Sequence, residues 1–176
     1  MKIGLCGTMS VGKTTLVNAL AELPEFKDYK FRTERSKHLM ELGIPLNTDS
    51  TLEGQIVFMA ERASELLKEN ILTDRSVVDV MAFTEASKSM KRKEKNVVLM
   101  LGEQLLPKYD HLFYIPHDGI KIEHNGVRET NPEYRDTIDF QIRQIIKQNK
   151  DALKNVHILQ GSTEERIELI KQVISS

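Results

Sequence analysis

Thiol chemistry has almost no material here: Cys6 is the only cysteine in 176 residues. An intrachain disulfide is therefore excluded, and a lone thiol inside an apolar run reads as a buried packing residue. That suits a reducing compartment. A surplus of either charge is missing too. Lys and Arg number 25 against 26 Asp and Glu, a net charge of -1. No general attraction to nucleic acid or to a membrane follows, although local basic patches are not excluded. No apolar run reaches membrane-spanning length, and residues 1–6 enter a strand pattern without signal-peptide features. No repeat, low-complexity tract or Pro/Gly/Ser linker divides the chain. His38, His111, His117, His124 and His157 have no metal-ligand spacing with one another or with Cys6, which argues against zinc. The expectation is one soluble cytoplasmic domain, residues 1–176, long enough to bury a sizeable core.

What is present begins at the N-terminus. Gly7, Thr8, Met9, Ser10, Val11, Gly12, Lys13 and Thr14 fit G-x-x-x-x-G-K-[ST], with Thr15 continuing into a helical pattern. A short apolar strand precedes the motif and a helix follows, the setting a phosphate-binding P-loop needs. The glycines let the backbone curl so that successive N–H groups face inward, and the helix adds the positive end of its dipole. Lys13 then reaches β- and γ-phosphates, and the Thr14 hydroxyl suits Mg²⁺. The alternative is an ordinary glycine turn between a strand and a helix.

Along the rest of the chain, apolar runs alternate with helical periodicity. Helix one ends near Pro24, and residues 29–33 read as a second strand. A helix after Glu34 stops near Gly43. Residues 49–51 offer an N-cap to a long helix with Ile56, Met59, Ala63, Leu66 and Leu67 at helical spacing. Residues 70–74 form a strand ending in Asp74, and 77–89 a helix. Residues 89–95 read as charged surface. Residues 97–106 fit a buried strand or a helix, and the continuing pattern of Leu101, Leu105 and Leu106 favours helix. A strand over 111–115, a polar loop over 118–131, a helix from Pro132 to about 149, a strand over 156–159 and a helix over 163–174 complete the chain. This order implies an α/β fold: three layers, a five-stranded parallel sheet with helices on both faces. Ligands of such sheets sit at the carboxyl ends of the strands. That rim gathers the P-loop, Glu34, Asp74 and Pro116.

Each rim residue has a functional and a plain reading. Glu34 suits a base that takes or positions the proton of an attacking hydroxyl; otherwise it is a helix-start glutamate. Asp74 suits a water-mediated Mg²⁺ ligand or an alternative base, with Arg75 aiming its fork at phosphate; otherwise the two are a surface pair. Asp79 could hold Arg75 through a salt bridge. Arg128 and Arg135 lie in and just after the polar loop and suit a lid that closes over a triphosphate; otherwise they are surface arginines. Gln55 suits reading a base edge, or is a solvated helix residue. Phe58 and Phe83 read as core.

Taken together, these residues resemble P-loop nucleoside and nucleotide kinases. The likeness is strongest to the small ATP-binding kinase domain of NadR-type nicotinamide-riboside kinases and to related phage kinases, with thymidylate and deoxynucleoside kinases more distant. The residues that carry it are the motif from Gly7 through Leu16, Glu34 with Lys37, and Ile71 to Ser76. Arg128 to Arg135 with Ile138 and Asp139, and Leu159 to Ser162, add to it. The resemblance implies ATP and Mg²⁺ as cofactors, with Lys13, Arg75, Arg128 and Arg135 on phosphates. Thr14 and Asp74 would serve the metal, and Glu34 or Asp74 would be the base. It implies a lid over about 117–136 and an adenine-contacting backbone at Gly161 and Ser162. Lys37 stands where such kinases often carry arginine, which removes a bidentate phosphate contact. If the chain is phage-encoded, its compartment is the host cytoplasm.

The implied activity is transfer of the γ-phosphoryl group of ATP to a small nucleoside, nucleotide or nucleoside-like acceptor. A variant takes hydroxymethyl bases within DNA; the near-neutral charge weighs against it. The competing class is a nucleotide-hydrolysing switch or motor. It lacks a guanine-specific Asn-Lys-x-Asp, and it gains ground if residues 97–103 form a Walker B strand. The oligomeric state is open at this level.

Overall fold

Alternation along Ile3-Gly4-Leu5-Cys6 builds the centre of the molecule. The computed structural model describes residues 1–33, 36–117 and 131–175, and within them strand β1 (Lys2–Cys6) is the middle of a five-stranded sheet. The others are β2 (Lys30–Arg32), β3 (Ile71–Thr73), β4 (His111–Tyr114) and β5 (Val156–Ile158), in the order β2-β3-β1-β4-β5. Every pairing is parallel, with Ile3 opposite both Leu72 and His111. A central strand flanked on both sides buries both of its faces, hence the nearly continuous apolar run.

Side-chain alternation splits the core in two. Ile3, Leu5, Leu72, Phe113 and Ile115 point to one face, where Leu16, Val17 and Leu20 of α1 (Lys13–Ala21) and Ile170 of α7 (Thr163–Ser175) meet them. Cys6, Leu112 and Tyr114 point to the other. That face is covered by α3 (Leu52–Glu65), α4 (Val77–Ala86), α5 (Arg92–Leu105) and α6 (Pro132–Gln148), through Met59, Val78, Met81, Val98, Ile138 and Ile142. A short helix, α2 (Ser36–Glu41), follows β2. The three-layer α/β architecture expected from the strand–helix alternation is present. Among the described residues no helix is long and apolar enough to cross a membrane.

Several boundaries differ from the sequence reading, each for a local reason. α4 stops at Ala86, short of residue 89, because Ser87 and Ser89 turn away to donate their hydroxyls to the Ser50 carbonyl. The Lys88 amide bonds to the Thr48 carbonyl. α5 starts at Arg92 and absorbs part of the expected charged stretch, because Glu94 reaches back to accept from the Lys91 amide at 2.6 Å. Residues 97–103 are therefore helical, and a Walker B strand there is excluded. Along α3 and just past its end, Met59 and Leu66 face the core, but Ile56 is 39% and Leu67 81% exposed. The helix instead buries Gln55, Arg62 and Glu65, and the last two neutralise each other at 2.7 Å.

One glycine fixes how α4 meets the sheet. A Cβ at Gly4 would lie 2.7 Å from Cε1 of Tyr109 and 3.1 Å from Cβ of Ser76. The missing side chain lets the buried Tyr109 ring cross β1, and its hydroxyl accepts from the Val77 amide at 3.0 Å. The first turn of α4 is thereby held against the end of the strand that leads into the P-loop.

Candidate active site

The loop between β1 and α1 takes the shape its glycines permit. Gly7 has φ +153, and a Cβ there would sit 2.6 Å from the Ile115 carbonyl oxygen. Gly12, at φ +85, occupies the N-cap of α1 in a left-handed conformation that L side chains rarely adopt. Lys13 folds back over the loop, and its ammonium donates to the carbonyls of Gly7 at 2.5 Å and Thr8 at 2.8 Å. Only 6% of it is exposed. Burial lowers the Lys13 pKa below its ordinary 10.5, the Arg75 charge lowers it further, and Asp79 and Asp74 oppose both.

Asp74 follows β3 directly. The Thr14 hydroxyl donates to its Oδ2 at 2.5 Å, joining α1 to the end of β3. Arg75 lies beside it with its guanidinium 4.9 Å above the Phe83 ring, an arrangement that steadies the cation. Phe83 also makes an edge contact with Tyr134, so its ring ties Arg75 to the core. Met9 through Thr15, Asp74, Arg75, Gly161 and Ser162 line a single pocket. The expected phosphate loop, the acidic strand end and the loop after β5 thus come together.

Asp79 does not pair with Arg75. Its Oδ2 accepts from the amide and hydroxyl of Ser76, capping α4, and its Oδ1 accepts from the Gly7 amide at 3.1 Å. Sequence reasoning missed this loop contact, although Ser76-Val77-Val78-Asp79 is itself a capping-box signature. Arg135 lies in the first turn of α6, 4% exposed, and its carbonyl accepts from the Thr8 hydroxyl at 3.4 Å. Burial lowers its pKa, against the raising effect of Asp136 and Asp139. It neighbours the loop without lining the pocket. Glu34 and Arg128 lie outside the described residues. Lys37 is exposed on α2.

Two further features escaped sequence reasoning. Arg166, in the first turn of α7, lines the pocket and donates to the Val11 carbonyl at 2.8 Å. At the base of the expected lid, His117 Nε2 stands 3.2 Å from Asp136. Beside it Asp139 accepts from Tyr114 at 2.7 Å and pairs with Arg143 at 2.7 Å. Burial, followed by the bond to Asp139, holds the Tyr114 phenol well above its usual pKa. Gln55 is 3% exposed on α3, and its side-chain amide has no hydrogen-bond partner among the described residues. It is not the solvated residue its polarity allowed.

Chemically, the pocket offers backbone amides, a buried lysine and an arginine for anionic oxygens, plus two hard oxygens, Thr14 Oγ1 and Asp74 Oδ2, for a cation. Among the described residues no three His, Cys, Asp or Glu side chains converge as a metal cage. A sparse oxygen set beside phosphate donors suits Mg²⁺, which keeps much of its shell as water and phosphate oxygens.

A family model described as an AAA domain matches residues 2–166. No curated protein matches the sequence. Among solved structures, the chain resembles deoxyadenosine kinase from M. mycoides with bound dATP, at 18% identity and a TM-score of 0.67, covering 100% of both chains. It resembles NadR protein in complex with NAD and AMP-PNP at 15% identity and a TM-score of 0.72, over 98% of this chain and 48% of that one. YorR protein from Bacillus subtilis, in complex with phosphorylated GDP, aligns at 15% identity and a TM-score of 0.55, over 99% and 94%. At these identities the likeness is one of fold, and the fold is that of P-loop nucleoside and nucleotide kinases.

Proposed function

The chain belongs to the AAA domain family, and from that premise we propose that it is an ATP-dependent kinase acting on a nucleoside, nucleotide or nucleoside-like acceptor. The observation that carries the reading is the convergence of Lys13, Thr14, Asp74 and Arg75 with the loop amides on one pocket. Solved structures of the same fold are named as kinases or hold nucleotides, which supports the class. The helical state of residues 97–103 removes the strand that would have strengthened a switch or motor reading.

In this reading the P-loop amides and Lys13 hold the β- and γ-phosphates, and Arg75 meets the charge that spreads over the γ-oxygens during transfer. Thr14 and Asp74 would hold Mg²⁺, which when bound supplies charge neutralisation between the β- and γ-phosphates. The acceptor oxygen attacks phosphorus in line, the bond to the β–γ bridging oxygen breaks, and ADP leaves. The acceptor proton passes to a carboxylate. Asp74 is already engaged with Thr14, so we assign the base to Glu34, two positions beyond β2. Gln55 on α3, Phe83 on α4 and Tyr134 on α6 offer a buried amide and two rings for an acceptor base. Residues 117–136, with Arg128, act as a lid on this single domain, and the His117–Asp136 contact gathers its two ends. A small acceptor suits the net charge of -1 better than duplex DNA does.

The test is consumption of labelled ATP with panels of nucleosides, nucleoside monophosphates and hydroxymethyl-base DNA. Turnover should be low alone and rise sharply with one acceptor class. Steady hydrolysis indifferent to every acceptor would refute the assignment. Glu34→Gln should lower kcat on the order of 10²-fold and leave ATP affinity nearly unchanged. Collapsed affinity at an unchanged rate would move the base elsewhere.

A further inference from the structure

The mechanism above makes no use of Arg166. It is 9% exposed, yet its guanidinium has one hydrogen bond among the described residues, to the Val11 carbonyl. Its Nε is shut off from solvent without a partner, and no carboxylate pairs with it among those residues. Burial alone lowers its pKa; no neighbouring charge contributes. Lys13, by contrast, feels Arg75, Asp79 and Asp74. Arg166 lines the same pocket as Gly161, Ser162 and Thr163, where it reaches across to the Val11 carbonyl.

The surroundings hold it there. Ser162 and Glu165 cap the start of α7 reciprocally, amide to carboxylate at 2.7 Å and amide to hydroxyl at 3.2 Å. Gly12 leaves room, since a Cβ there would come within 3.3 Å of the Arg166 Nη1. A buried, uncompensated, planar cation facing a pocket invites an electron-rich partner from outside. Flat guanidinium faces stack on aromatic rings.

We propose that Arg166 is the floor of the donor-base subsite, its guanidinium lying against the face of the nucleobase while its bond to Val11 keeps the plane in place. This rests on the nucleotide-binding reading above and adds the residue that senses the base. Stacking does not depend on a base's hydrogen-bonding edge, so the subsite tolerates more than one base and leaves choice to the backbone at Gly161 and Ser162.

The experiment compares Mg·ATP with inorganic tripolyphosphate, which has the phosphates and no base. Calorimetric affinities are measured for the wild type, Arg166→Ala and Arg166→Lys. Lysine keeps the charge and a donor for Val11 and lacks the plane, so it stands in if the alanine variant fails to fold. The expected result is a roughly tenfold loss of ATP affinity in both variants, with tripolyphosphate affinity unchanged. An equal loss for both ligands would assign Arg166 to phosphate or to holding the loop, and overturn the proposal. Unchanged ATP affinity would overturn it as well. A wild type that binds neither ligand would instead fail the phosphate-loop reading itself, and this inference with it.

Discussion

Asp79 serves two structures with one carboxylate: Oδ1 accepts the first amide of the phosphate loop and Oδ2 the cap of α4. Asn in its place presents an NH₂ group either to the Gly7 amide or to the Ser76 amide, whichever way it turns. Asp79→Asn should therefore cost about 1–3 kcal/mol for the orphaned group, read from urea unfolding, and ATP affinity should fall with it. Lost stability at undiminished affinity would show that the Gly7 bond leaves the loop's shape alone. Residues of this kind divide by how local their logic is. Lys13 and Thr14 are legible in the sequence because their spacing from Gly7 is their mechanism. Asp74 is legible as the first carboxylate after an apolar strand. The Asp79–Gly7 bond spans 72 positions and the Arg166–Val11 bond 155. No spacing rule reaches across such separations, and only the folded sheet brings those partners together.

Elements transmit these contacts. Gly4 admits the Tyr109 ring, Tyr109 holds the Val77 amide, and α4 in turn carries Asp79 to the loop. Gly4→Ala should cost about 1–3 kcal/mol through overpacking and weaken nucleotide binding from a strand that never touches nucleotide. Urea midpoints and ATP titrations check both halves of that statement. On the neighbouring strands, His111 and His157 meet at 3.1 Å beside Phe113. Burial lowers both rings below the ordinary 6.5, and His111 lowers His157 further. As pH falls through 6.5, the unfolded chain takes up protons the folded pair resists. The contribution is therefore complete above 6.5 and is lost toward the lowered folded values. His157→Gln should flatten the fall of Tm with acid in that window; an unaltered slope would clear the pair of any role. Strand and helix positions were largely legible, because Gly, Pro and capping residues punctuate them. The inward face of α3 was legible only in part. Apolar spacing rightly placed Met59 and Leu66 inside but also chose Ile56 and Leu67, whereas the Arg62–Glu65 pair satisfies itself and goes inside. Periodicity weighs each side chain alone and does not register a neutralised pair.

At the scale of the whole molecule, the two half-cores share β1, and β1 feeds the phosphate loop. A ligand held there should brace the entire fold. Nucleotide at a hundred times its Kd should stabilise the protein by about 2.7 kcal/mol, read as a rise in Tm. Lys13→Ala should remove most of that rise while melting near the wild type in the absence of nucleotide. Equal rises in both proteins would place the nucleotide away from the loop. The layered architecture was legible because alternating strands and helices leave few ways to cover a parallel sheet. The sheet's order, with β1 at its centre, came only from the structure.

That sheet ends on both sides in strands of three residues, Lys30–Arg32 and Val156–Ile158. The outer one beside β3 carries exposed Lys30 and Arg32. So short a margin, charged on one side, gives a neighbouring chain little ladder to zip onto. The design that gathers the pocket-lining groups at the middle of the sheet therefore also keeps crowded copies from knitting together along its borders.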